Sequence, residues 1–193
     1  MRLYVRKIEE YADADTLLLE EQRRRRLSGF RNENACLQSI AAGMLLREAL
    51  SDYGYDVGEK PLELVYEENG KPSLAGETDP HFCLSHSGSL VVCAVDDVPV
   101  GVDVQVVRKI SKRVANRILA PDELGKFNSF SAKNESTDRY LTVLWTEKES
   151  IAKLIGKGLS ADFRNLSACD YRLYTLMHTV GSEEYVITVA CSR

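Results

Sequence analysis

The chain has 193 residues, 44% of them apolar and 28% charged, an ordinary make-up for a soluble globule with room for one large domain or two small lobes. Its net charge of −4 argues against general nucleic-acid binding, so any polyanion must be met by a local patch. Five scattered cysteines, Cys36, Cys83, Cys93, Cys169 and Cys191, with no Cys-x-x-Cys among them, indicate neither a disulfide framework nor a zinc site and fit a reducing cytoplasm.

The opening residues, Met1 to Glu9, lack a long apolar core and a small-residue cleavage site, so no secretory signal is expected. Residues 3–8 alternate enough to make a strand. Residues 14–27 read as a helix capped by Asp13 or Asp15 and ending in Arg23-Arg24-Arg25-Arg26. Cations suit a helix C-terminus, so the plain reading is a solvated face partly answered by Glu20 and Glu21; the sharper one is a phosphate clamp, since guanidinium forks match phosphate oxygens. Residues 34–50 form a second helix with Leu37, Ile40, Ala41, Met44, Leu45 and Ala49 as its core stripe. Residues 62–66 look like a strand, and Asn69-Gly70-Lys71-Pro72 is a turn that leaves Lys71 either exposed or poised for an anion.

Cys83-Leu84-Ser85-His86-Ser87-Gly88 leads into 90–95, a strand apolar on both faces. The segment reads as an anion nest or, equally, a polar turn. A nucleophilic Ser/His pair is less attractive, because neighbours on extended backbone point in opposite directions. The longest apolar region, 90–106, is broken by Asp96, Asp97 and Asp103, so no membrane span is expected.

Residues 100–106 carry period two: Val100, Val102, Val104 and Val106 face inward, while Gly101, Asp103 and Gln105 share the other face. That face is either solvated or a metal shelf, with Gly101 leaving room for the ion. Residues 111–118 are helical, Pro121 opens another short helix, and 128–136 is a polar loop. Two alternating strands, 171–178 and 185–191, meet through Gly181-Ser182. Both halves run from helices into a strand pair, without a residue-level repeat.

The chain is organised around Trp145 to Leu159. Leu141, Leu144, Lys148, Ile151 and Ile155 recur at helical spacing, which puts an ammonium inside an apolar stripe, where it requires a partner. Glu149 and Lys153 lie four apart on the same helix; alone they suggest a surface ion pair worth about 0.5 kcal/mol. With Asp103 on a strand, Glu149 on a helix and no histidine cluster, the donors are oxygens suited to Mg²⁺, which takes one or two carboxylates and fills its octahedron with waters and phosphate oxygens. Arg23, Arg26, Lys71, His86, Lys148 and Lys153 offer counter-charge, which implies a polyphosphorylated small molecule.

Ser85-His86-Ser87, Gly101-Val102-Asp103-Val104, and Trp145-x-x-Lys148-Glu149-x-x-x-Lys153 closing with Gly156-Lys157-Gly158-Leu159 together resemble the Sfp-type 4′-phosphopantetheinyl transferases in residue type, order and separation. Gly70-Lys71-Pro72 matches a fourth block. The resemblance implies an α+β fold of two similar halves in one chain, a pseudo-dimer with helices packed on small, mainly antiparallel sheets, divided at about 1–97 and 98–193 within a single enzyme unit. It further implies transfer of the phosphopantetheine arm of coenzyme A to a serine of an acyl or peptidyl carrier protein, with Mg²⁺, releasing adenosine 3′,5′-bisphosphate. By position Asp103 and Glu149 match metal ligands, Lys148 and Lys153 the catalytic-helix lysines, and Glu123 a third acidic position. Arg23, Arg26, Ser39, Lys71, Ser85 and His86, with Lys148 and Lys153, fall where the family contacts coenzyme A. Glu149, Glu123 or a water on the metal is the expected acceptor of the serine proton, and Lys153 the group that neutralises the leaving phosphate.

Two positions depart from the pattern. Gln105 stands where many members carry a carboxylate, leaving the metal one anionic ligand fewer and putting a water or the Gln105 amide oxygen in its place as the third expected ligand beside Asp103 and Glu149, and Gln38 replaces an arginine common before the second-helix Ser/Thr. The expected setting is a cytoplasmic monomer that meets its carrier transiently and involves neither nucleic acid nor membrane. A Mg²⁺-dependent hydrolase or nucleotidyl transferase on a nucleotide diphosphate, and a non-catalytic coenzyme A-binding module, are the rival readings.

Overall fold

The computed structural model describes residues 1–109, 111–130, 136–158 and 161–193. It divides into two compact units, Met1–Val100 and Gly101–Arg193, each an α+β arrangement of helices with small sheets.

In the first unit β1 (Arg2–Lys7) and β4 (His81–Ser87) both pair antiparallel with β5 (Leu90–Asp96), giving the order β1-β5-β4. The central strand is apolar on both faces because both are covered. Against it lies α2 (Glu33–Tyr53), whose Ala41, Leu45, Leu46, Ala49 and Leu50 share one core with Val91, Cys93 and Val95. Asn32 caps this helix by accepting from the amides of Asn34 and Ala35, and Gly54, at φ 108°, ends it. Along its outer edge Asp52 accepts from Arg2 and Tyr4, and Glu48 from Arg6 and Tyr11. These pairs tie α2 to the first strand and to the single 3₁₀ turn that follows it, so the helix cannot slide along the sheet.

The helix expected over 14–27 is two pieces. A 3₁₀ turn, Thr16–Leu18, is capped by Asp15, and α1 is only Glu21–Leu27. Between them Leu19 is extended and 1% exposed. It drops so close to α2 that a side chain on Gly43 would meet Leu19 Cδ2 at 2.5 Å. Burial of one leucine therefore outweighs continuation of the helix. The short hairpin β2 (Leu64–Tyr66) and β3 (Pro72–Leu74) turns through Gly70, as the sequence suggests. Ser85 and His86 belong to β4, which runs through the segment read as a nest or turn; the reversal comes after it, at Gly88.

In the second unit the sheet order is β6 (Val100–Val106), β8 (Glu183–Ser192), β7 (Tyr171–Val180), with β7 and β8 antiparallel. The long helix α5 (Ser136–Leu154) packs on it, with Ile151 and Leu154 against Ala190 and Leu173. A second core gathers Ala115, Ile118 and Leu119 from and after α3 (Lys112–Ile118), Phe127 of α4 (Pro121–Phe130), and Leu141 and Ala152 of α5. Trp145 stacks on Phe163 there, ring centres 5.6 Å apart. Of the loop expected over 128–136, residues 128–130 complete α4, Ser136 opens α5, and 131–135 lie outside the described residues. Leu159 of the central stretch also lies outside them. No described helix is long and apolar enough to cross a membrane.

Candidate active site

The site in the second unit begins with a close approach. A Cβ on Gly101 would lie 2.1 Å from the carbonyl oxygen of Ser150 and 2.6 Å from the amide nitrogen of Leu154, so only glycine lets β6 touch the backbone of α5. The space is taken by the helix, not by an ion, which corrects the reason expected for this glycine. It brings Asp103, two residues further along the same face, up to the helix that carries Glu149 and Lys153. Asp103 is 2% exposed, so that face is not a solvated one.

Asp103 is engaged at both oxygens. Lys153 Nζ lies 2.7 Å from Oδ1, and Gln105 Nε2 donates to Oδ2 at 3.0 Å. Lys153 thus turns to the strand's aspartate and is not the exposed partner of Glu149 that helix spacing alone suggests. Its place is set by the helix end: Gly156 donates to Lys153 O and Lys157 to Ala152 O, with Gly156 at φ 69°, a paired closure that stops α5 one turn after Glu149. Glu149 is 7% exposed and its Oε1 is buried without a hydrogen-bond partner. Burial first, and the neighbouring charge of Asp103 second, push its carboxyl up to about 7, while Lys153 pulls the other way. A buried carboxylate oxygen with nothing to accept, beside a second carboxylate, is what a divalent cation would satisfy, so Asp103 and Glu149 fit as its protein ligands. Among the described residues no larger group of His, Cys, Asp or Glu gathers as a metal cluster.

Lys148 and Glu123 come together in a second cluster. The ammonium, 3% exposed, lies 2.8 Å from Glu123 Oε2 and donates to Phe163 O at 2.8 Å, meeting the need for a partner read from the apolar stripe. Glu123 also accepts from the Ala120 amide at 2.7 Å and so closes the first turn of α4. Glu147 sits beside this pair, its carboxyl raised by burial and by Glu123.

In the first unit the expected basic residues fall into a recognisable group. Arg23 Nε reaches both oxygens of the buried Glu20, at 3.0 and 3.1 Å, and its Nη1 donates to Ser39 O at 3.1 Å. Tyr66 donates to the same Glu20 at 2.8 Å, and Arg26 lies over the Tyr66 ring, 5.7 Å from its centre. Burial and Glu20 push the Tyr66 hydroxyl up to about 12. Lys71 immediately precedes the strand that pairs with β2, its neighbour Pro72 standing opposite Tyr66. Ser85 and His86 stand on β4 opposite Val92 and Val91, the serine buried and the histidine exposed, as alternation demands. Gln38 donates to Gly88 O at 2.9 Å and ties α2 to the β4–β5 turn. Sequence reasoning missed Glu20 as the centre of this group; its spacing of three from Arg23 at a helix start was the available signal.

Comparison with known proteins gives this arrangement its class. Residues 99–190 match the model of the 4′-phosphopantetheinyl transferase superfamily. The chain is 30% identical over 159 residues to the Bacillus subtilis 4′-phosphopantetheinyl transferase ffp, covering 82% of this chain and 70% of that protein. It is 31% identical to the 4′-phosphopantetheinyl transferase Sfp of Bacillus subtilis strain 168, over 77% of this chain and 65% of Sfp, and 32% identical to a further Bacillus subtilis 4′-phosphopantetheinyl transferase, over 76% and 64%. The chain therefore belongs to the Sfp-type 4′-phosphopantetheinyl transferase family. It spans a little under two thirds of the length of the last two relatives.

Proposed function

We propose that this chain transfers the 4′-phosphopantetheine arm of coenzyme A to a serine hydroxyl of an acyl or peptidyl carrier protein, releasing adenosine 3′,5′-bisphosphate, and that residues 1–193 act as one enzyme unit of two related halves. Beyond family membership, the observation that carries this reading is the buried, unpartnered Glu149 Oε1 beside Asp103. Asp103 and Glu149 would hold Mg²⁺, which when bound supplies positive charge to the diphosphate of coenzyme A.

The serine oxygen forms a bond to the β-phosphorus in line with the bond to the leaving oxygen, and the displaced group departs as the adenosine bisphosphate. The serine proton passes to a carboxylate of the chain, Glu149 or Glu123. Lys153, whose ammonium already lies at Asp103, carries positive charge to the leaving phosphate. Lys148, held by Glu123 and Phe163 O, adds a second positive charge on the same helix. In the first unit Arg23, Arg26, Ser39, Lys71, Ser85 and His86 are assigned to coenzyme A contacts. Arg26, whose flat cation lies over Tyr66, suits a phosphate because guanidinium forks bind such oxygens in pairs. The setting is cytoplasmic, the partner a carrier met transiently, and the chain a monomer.

The test is mass spectrometry of apo-carrier proteins incubated with the chain, coenzyme A and Mg²⁺. The expected result is the added arm on a carrier serine, lost in Asp103→Asn and Glu149→Gln variants that keep their circular dichroism. Release of nucleotide without carrier would favour a hydrolase instead.

A further inference from the structure

The two donors on Asp103 differ in kind. Lys153 brings a full positive charge on a flexible stem to Oδ1, and its side chain is 26% exposed. Gln105 brings a neutral amide to Oδ2 from the same strand face, where the backbone of β6 fixes it. An amide nitrogen cannot bind a cation, so in this orientation Gln105 serves the aspartate and offers no ligand. A cation arriving at Asp103 repels an ammonium but not an amide, so the lysine is the group that yields.

We propose that Gln105 is a positioning residue for Asp103 rather than a metal ligand: it holds Oδ2 so that Oδ1 is presented to a divalent ion, and Lys153 occupies that place until the ion arrives. The inference rests on the metal reading above. A side chain 3% exposed is oriented by protein donors and not by bulk water, and the Gln105 amide is a neutral donor that stays on Oδ2 when Lys153 leaves. A glutamate at 105 would set a second negative charge against Oδ2 and would need the cation to be tolerated. The glutamine orients the aspartate before any ion binds.

The test uses Mg²⁺ alone, titrated calorimetrically into the full chain, together with the side-chain amide signals of ¹⁵N-glutamine-labelled protein. The expected results are Mg²⁺ binding by the wild type, about tenfold weaker binding by Gln105→Met, which keeps the shape and removes the donor, and tighter binding by Lys153→Met, which removes the competing charge. The Gln105 amide signals, assigned by their loss in Gln105→Met, should keep their hydrogen-bonded shifts and slow exchange at Mg²⁺ saturation. Should they collapse to solvent-like values on saturation, the amide has turned to offer its oxygen and the positioning role is overturned. Unchanged affinity in Gln105→Met overturns it as well. Absence of Mg²⁺ binding in the wild type overturns the metal reading, and the positioning role with it, whereas an effect confined to the variant leaves the metal reading standing. Where Gln105→Met does not fold, the same signals are assigned in uniformly ¹³C,¹⁵N-labelled wild type through the Gln105 side-chain carbons, so the test survives.

Discussion

Replacing Gly101 by alanine tests the contact on which the C-terminal site is built. The new methyl carbon would sit 2.1 Å from Ser150 O, and ordinary contact begins near 3.4 Å, so strand and helix must part by about 1.3 Å (3.4 − 2.1) along that line. The three nearest atoms are all helix backbone, with Leu154 N at 2.6 Å and Leu154 Cα at 3.0 Å, so swinging a side chain aside does not relieve the clash. Overpacking of this kind costs about 1–3 kcal/mol, and rigid backbone on both sides puts this case at the upper end. At roughly 2–4 °C per kcal/mol for a chain of this length, the melting temperature should fall by about 6–12 °C. The displacement also separates Asp103 from Glu149, and misplacement by about 1 Å can lower a rate by roughly a hundredfold. Thermal melts and initial rates of carrier modification measure both. Gly125→Ala in α4 is the control: its Cβ meets nothing within 4 Å, and alanine there should hold or raise the melting temperature. A Gly101→Ala protein that melts with the wild type and transfers at its rate would refute the close-approach reasoning.

In protein stripped of metal by a chelator, the fold favours protonated Glu149, so its contribution is complete below pH 4.5 and is lost as pH rises through about 7. The gap is about 3 kcal/mol at most; melts from pH 5 to 8 should show the decline in wild type and not in Glu149→Gln, and parallel declines would count against it. Glu123→Gln strips the buried Lys148 ammonium of its carboxylate partner and should destabilise the chain by about 3–5 kcal/mol in denaturant melts, while adding Lys148→Met should recover much of the loss. His86→Ala should raise the KM for coenzyme A with kcat little changed; an unchanged KM would remove His86 from the contact set.

Much of the site was legible because period and charge conflict in it. Lys148 inside an apolar stripe demanded a partner, and an aspartate and a glutamine on one face of a valine strand demanded a reason. What could not be read was tertiary. The partner of Lys148 came from α4, the ammonium of Lys153 turned to the strand and away from helix spacing, and Gly101 made room for a helix backbone instead of an ion. In the first unit the arginine run looked like a helix end, yet the buried Leu19 broke that helix and left Glu20 to gather Arg23 and Tyr66. Local propensity describes a residue's neighbours in the chain, and these outcomes were decided by neighbours in space.

The sheet order β6-β8-β7 places in the middle the strand that is synthesised last of the three. The Val107 amide meets its acceptor, Glu184 O, only after roughly eighty further residues have been made. During translation the strand bearing Asp103 is an open edge, and its alignment with α5 is secured late, in a step dominated by distant pairing. Any nascent chain stalled before β8 would carry both acids and both lysines without the strand on which β6 pairs and α5 packs.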